Sequence, residues 1–232
     1  MLDELAALGP FFSVGSHPRG ETPSGPWRPV SELLTRPEPL LHRIASVRAA
    51  LAARGGVPAG EIDRRAAASA AHLGLAARLA APALGAAALG AGVDCGPEGL
   101  WWQDTLDGPV PLSVPVPAAG PAAADWHGRL ITEVMTPLTA GTARLAGVSD
   151  RVLWGNVASG INAAANQVAR ARPDLAGRAW ECARALLASP SLSAEREPPG
   201  PAFRRTSCCL FYRLAPREER AICGDCVLGA DR

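Results

Sequence analysis

Apolar residues return at steps of three and four through most of this chain, the period of helices with one buried face. Leu40, Leu41, Ile44, Val47 and Leu51 keep that step up to Gly55-Gly56, where a helix should stop. The stretch from Glu61 to about Leu89 reads as one or two helices, with Pro82 marking the expected break. Asp125 opens another through Trp126, Leu130, Val134 and Leu138, and Pro137 should kink it. Ser149-Asp150 caps the next, through Val152, Leu153 and Val157 to Val168. A last one spans Pro173 to Leu187, with Pro173 suited to a first helical turn. Shorter helical pieces are expected at the amino terminus and after Ser31, which is placed to cap Glu32-Leu33-Leu34. Between these two pieces, Gly15 to Pro29 is rich in glycine, proline and serine and should be irregular.

Near Leu100 the period changes. Leu100-Trp101-Trp102-Gln103, a polar Asp-Thr-Leu-Asp-Gly turn and Val110-Pro-Leu-Ser-Val114 predict a small β-hairpin. Its second arm is rich in proline and is expected at a sheet edge. Pro115 to Pro121 should be a loop. The fold class is therefore mainly α with a small β-hairpin or sheet (α+β), a helical body followed by a short cysteine-rich metal-binding tail. The domain reading is a helical body over 1–188, a proline-bearing linker over 189–202 and a metal-binding segment over 203–232.

Composition narrows the function classes. Hydrophobic residues make up 48% of the 232 and charged residues 19%, which excludes global disorder. A formal net charge of +1 gives no reason to expect nucleic acid or a membrane surface as partner. Every basic residue is arginine, which reads as coding bias rather than chemistry. The acidic start Met1-Leu-Asp-Glu-Leu lacks the pattern of a secretory signal. The longest apolar region, Ala66 to Val93, holds His72, Arg78 and Pro82 among alanines and glycines, and so suits a buried helix pair better than a membrane span. The expectation is a cytoplasmic protein with no integral membrane segment, whose thiols stay reduced and available to metal.

The candidate chemistry sits in the tail. Cys208 and Cys209 are adjacent, Cys223 and Cys226 form a Cys-x-x-Cys pair, and these four of six cysteines fall within nineteen residues. Clustered thiolates are the ligand set of a structural zinc or a small iron–sulfur cluster. Adjacent residues of an extended segment point opposite ways. Cys208-Cys209 therefore suits one tetrahedral ion poorly and a two-iron cluster better, provided the backbone bends. Zinc, an oxidisable dithiol and inert cysteines remain as alternatives on spacing alone. Arg204, Arg205 and Arg213 flank the first pair, where positive charge stabilises thiolates and raises a cluster's potential, although each also reads as a solvated surface arginine. Phe211 and Tyr212 would shield one side of a cluster or form a small core. Cys182, mid-helix beside Trp180, reads as a buried small hydrophobe, and each of the four histidines as structural or exposed.

Ser207-Cys-Cys-Leu-Phe-Tyr-Arg213 followed by Cys223-Gly-Asp-Cys226 resembles the carboxy-terminal signature of the FhuF-like ferric siderophore reductases. His72-Leu-Gly-Leu-Ala-Ala-Arg78, the Leu100-Trp-Trp hairpin and Leu153-Trp-Gly-Asn-Val-Ala-Ser159 resemble body segments of actinobacterial members more loosely. The resemblance implies a 2Fe–2S cluster held by Cys208, Cys209, Cys223 and Cys226. It also implies transfer of one electron to ferric iron in a siderophore, releasing ferrous iron for assimilation. The spacer between the cysteine pairs, Leu210 to Ile222, is thirteen residues against about ten in the family, and a surface loop absorbs such growth at little entropic cost. The excess is expected in Pro216-Arg-Glu-Glu-Arg220.

No Gly-x-Gly-x-x-Gly follows a strand and no phosphate loop is present, so the electron should come from an external donor such as a ferredoxin or flavin reductase. Trp101, Trp102, Trp154 and Asn156 are the candidates for a siderophore-docking surface, although tryptophans at those spacings also suit a core. The alternative is a zinc-stapled module that binds a small molecule or protein without redox activity. A third reading, a regulator sensing iron or oxidants, lacks a DNA-binding helix or basic patch.

Overall fold

A computed structural model describes residues 1–116, 125–193, 198–214 and 222–227. The chain is mostly helical with a small four-stranded sheet. In chain order the elements are α1 (Leu2–Ala6), β1 (Gly15–His17), β2 (Arg28–Pro29), α2 (Val30–Thr35), α3 (Pro37–Gly55) and α4 (Arg64–Ala88). There follow β3 (Trp101–Trp102), β4 (Leu112–Pro115), α5 (Trp126–Arg129), a π-helical turn (Leu130–Met135), α6 (Thr136–Ala146), α7 (Asp150–Ala171) and α8 (Ala176–Leu187).

The centre of the body is the pairing of α4 with α7, around which α3, α6 and α8 pack. Small residues make the close approach: a Cβ built on Gly160 of α7 would lie 2.9 Å from Ala77 Cα of α4. Most alanines of α4 from Ala66 to Ala88 are buried, with Ala70, Ala77 and Ala87 half-buried, so this helix is apolar over most of its surface and forms the inside of the bundle. Asp63 caps it, its carboxylate accepting from the backbone N–H groups of Arg65 and Ala66.

Several elements differ from the sequence expectations, among them α2, which starts at Val30 after Pro29, so that Ser31 lies inside it and does not cap it. The helix α4 runs unbroken through Pro82, which is buried among neighbours that outweigh one missing backbone bond. The stretch read as irregular, Gly15 to Pro29, supplies β1 and β2 at its two ends. The proline-rich arm β4 lies inside the sheet, whose order is β1-β4-β3-β2, and all four of its residues are buried. It pairs parallel to β1 and antiparallel to β3, and it tolerates proline because Pro115 stands at its last position. The hairpin itself, with Trp101 opposite Ser113 and Trp102 opposite Leu112, lies where the alternation placed it.

Arg78 fixes the sheet and the amino-terminal segment to α4. Its guanidinium is almost fully buried and donates to the carbonyls of Val110, Phe11 and Ser13, each at 2.6 Å. A π-helical turn stands just ahead of Pro137, where the sequence predicts a kink, and Pro137 itself falls in the first turn of α6, where its missing N–H costs little. Leu192 anchors the start of the linker in the core, and Gly200 N–H donates to Asn162 Oδ1 at 2.8 Å. The expected loop over 117–121, linker residues 194–197 and the polar stretch over 216–220 lie outside the described residues.

Candidate metal centre and adjoining cavity

The cysteine tail has little regular structure of its own and is held by polar bonds to α4 and α7. Asn156, fully buried on α7, donates from Nδ2 to the Ser69 carbonyl and hydroxyl oxygens, both at 3.0 Å. Ser69 in turn donates to the Cys209 carbonyl at 2.8 Å. Arg205 Nη2 donates to Asn156 Oδ1 and to the Val152 carbonyl, both at 2.9 Å. Ser207 donates to the Arg151 carbonyl at 2.9 Å. Glycine at 155 makes room for the tail, because a Cβ there would stand 2.6 Å from Arg205 Nη2. Buried polar groups need such partners, and here the partners belong to the body.

The local bend that the adjacent cysteines require is at Leu210. It adopts φ 67° and ψ 2°, the left-handed region that a leucine avoids unless its surroundings demand it, and a short 3-10 turn, Phe211–Arg213, follows. The bend aims backbone N–H groups at sulfur: Leu210 N–H donates to Cys208 Sγ at 3.4 Å, and Phe211 N–H bonds to the Cys209 sulfur. Across the spacer, the Arg205 N–H donates to the Asp225 carbonyl at 3.2 Å and so draws the Cys223–Cys226 turn against the first pair. Cys209 and Cys226 are buried, while Cys208 and Cys223 are half-buried.

Cys209 and Cys223 share a hydrogen bond with their sulfurs 3.3 Å apart. That bond holds the Cys209 thiol down to about 6, helped by the Phe211 N–H and the Arg205 charge, and pushes Cys223 up. Burial raises Cys208 despite the Leu210 N–H. The lowered Cys209 pKa favours the thiolate, the form that binds metal. Among the described residues, no group of three or more His, Cys, Asp and Glu side chains gathers closely enough to hold a metal ion. The four thiols, the two amides directed at sulfur and the buried guanidinium beside them suit a two-iron cluster, whose ligands divide between metals.

Residues 205–228 match the family model described as the FhuF 2Fe-2S C-terminal domain. The tail is similar to FhuF 2Fe–2S C-terminal domains. Its cofactor is therefore a 2Fe–2S cluster, and the FhuF domain points to a redox protein. No curated protein and no solved structure matched the chain.

A cavity of about 650 Å³ adjoins the tail. Its walls come from α4 (Leu73, Gly74, Ala77), from α7 (Ser159, Asn162, Asn166) and from Phe11, Phe12 and Phe203. Phe211, Gly224 and Asp225 of the tail close one side. Ser159 donates to the Asp225 carboxylate, which joins the Cys-x-x-Cys turn to the cavity wall.

The four docking candidates from the sequence do not line this cavity. Trp102 is buried in the sheet, and Trp101 meets His17 edge-on with ring centroids 6.5 Å apart. Trp154 packs partly buried against the core. Asn156 is the pivot between α4, α7 and the tail described above. The histidines are dispersed: His17 bonds Ser113, His42 bonds Asp104, His72 bonds Thr139, and His127 stands beside Trp126. Cys182 packs half-buried against the core, and burial pushes its thiol up. Ser69, Ser159 and Asp225 were missed from sequence. The signal for the first two was present, as isolated polar residues on otherwise apolar helix faces, Ser69 with His72 and Asn156 with Ser159, each pair one turn apart.

Proposed function

We propose that the chain is a cytoplasmic ferric-siderophore reductase whose cluster ligands are Cys208, Cys209, Cys223 and Cys226. The observation that carries this reading is the FhuF 2Fe–2S domain set against a cavity whose wall includes Gly224 and Asp225, the residues between the last two cysteines. In this reading residues 1–188 form the docking body, 189–202 the linker and 203–232 the redox segment.

When bound, a 2Fe–2S cluster supplies a centre that accepts and gives one electron. The phenylalanines offer flat apolar faces to a chelate, and the amides of Asn162 and Asn166 offer hydrogen bonds. The Ser159–Asp225 bond holds the Cys-x-x-Cys turn at the cavity wall, so that a docked chelate stands close to the donor. Siderophores hold ferric iron far more tightly than ferrous iron. One electron added to the chelate therefore releases the metal, and an external donor restores the electron.

The test uses the anaerobically purified, cluster-loaded protein, reduced and freed of excess reductant. Mixing with a ferric siderophore should reoxidise the protein, and a ferrous chelator should capture one iron per electron delivered. A reduced protein that no ferric chelate reoxidises overturns the reading.

A further inference from the structure

Arg205 is a buried cation with hydrogen-bond donors left unmet. Its side chain is 2% exposed, and among the described residues no carboxylate forms an ion pair with it. Nη2 is fully used by Val152 and Asn156, whereas Nε and Nη1 have no hydrogen-bond partner. A guanidinium has five N–H donors in a rigid fork, and burying its charge with donors unmet is costly unless something else takes them up. The neighbouring titratable group brings no compensating charge, because burial and the Arg205 charge hold His72 neutral, and its Nδ1 makes no hydrogen bond to Nε or Nη1.

The place of the side chain indicates what takes them up. Its Nη2 donates to Asn156, whose Nδ2 donates to the Ser69 hydroxyl that in turn donates to the Cys209 carbonyl, and the Arg205 backbone N–H holds the Cys223–Cys226 turn through Asp225. Arg205 therefore sits between the two cysteine pairs, fixed by Asn156 from behind. The other flanking arginines are placed differently. Arg213 is exposed and pairs with Asp63 and Tyr212, and Arg204, also exposed, donates from Nη1 to the Cys226 carbonyl at 3.4 Å.

We propose that Arg205 donates hydrogen bonds from Nε and Nη1 to sulfur of the 2Fe–2S cluster and thereby raises its reduction potential. A cluster with four thiolate ligands is anionic and gains a further negative charge on reduction. Donors to sulfur and a nearby fixed cation favour the reduced state. This inference rests on the reading of the four cysteines as cluster ligands, and it assigns a role to a residue that is not a ligand.

The experiment uses the full chain with its cluster loaded anaerobically and confirmed by iron and sulfide content. Wild-type protein labelled with 15N-arginine is reduced, and the paramagnetic cluster is examined for a coupled arginine nitrogen. The expected result is a 15N coupling that disappears in labelled Arg205→Lys. In parallel, Arg205→Met should lower the midpoint potential by at least a tenfold change in the one-electron equilibrium, about 59 mV. Arg205→Lys should lower it less, because the charge remains while the fork is lost. Arg213→Met should leave it unchanged. If Arg205→Met fails to hold a cluster, the wild-type coupling decides alone. A loaded cluster with no arginine coupling overturns this proposal and leaves the ligand reading standing. A protein that forms no cluster overturns both.

Discussion

The helical body and the cysteine tail are held by different forces. The body is a packed interior: α4 and α7 touch through alanine and glycine, and leucines such as Leu138 and Leu153 are fully buried around them. Among its described residues the tail buries only a few apolar side chains, Phe203 among them, and it depends on a hydrogen bond from Ser69 and on bonds accepted by Asn156, Arg151 and Val152. Apolar burial is non-directional and tolerant, whereas a polar seam fails when one partner goes. The body is thus built to persist without metal, and the tail to be ordered by the body and by its cofactor together.

The largest expected effect falls on the tail alone. Cys223→Ser or Cys226→Ser should reduce iron and sulfide from about two each per chain to near zero, with the helical circular dichroism retained. Cys182→Ala, on α8, should keep the full complement. A Cys226→Ser protein with full iron and sulfide would contradict the ligand assignment.

Acid should act on the body first. His72 is completely buried, and burial followed by the Arg205 charge lowers its pKa from 6.5 to about 3. Between those values the unfolded chain binds a proton that the native chain refuses. Stability is therefore full above about pH 6.5 and falls as the pH drops toward 3, by an amount on the order of 4 kcal/mol if nothing relaxes. Denaturant titrations from pH 7 to 4 should show that slope, and His72→Gln should flatten it. An unchanged slope would place the acid sensitivity elsewhere.

Overpacking separates the two regions next. Gly160→Val drives a side chain into Ala77 and should destabilise the body by about 1–3 kcal/mol in denaturant. Gly155→Ala, the smallest effect on the fold, pushes against Arg205 instead. It should move the body's unfolding midpoint little and speed loss of the visible cluster spectrum under a chelator. If Gly155→Ala instead lowered the body's stability as much as Gly160→Val, the two regions would be one cooperative unit.

Much of this was legible in sequence because the relevant signals are local. The helix ends at Gly55-Gly56 and Asp150, the Trp101–Trp102 hairpin arm and the cysteine spacing all depend on residues within a few positions of one another. Pro82 misled for the opposite reason: its local penalty is real, but the burial of the whole helix outweighs it. The strand β1 was invisible because it exists only through pairing with β4, nearly a hundred residues on.

The sequence by itself determined that a mostly helical chain ends in four thiols spaced for metal, and the resemblance it carries named the cluster. Tertiary structure alone decided which polar residues serve that tail. Ser69, Asn156 and Arg205 are separated by 87 and 49 residues along the chain and meet only because α4 packs on α7. Composition and periodicity report how a residue relates to its own helix. They carry no record of which distant backbone its hydrogen bond will complete, since that depends on how the apolar faces pack.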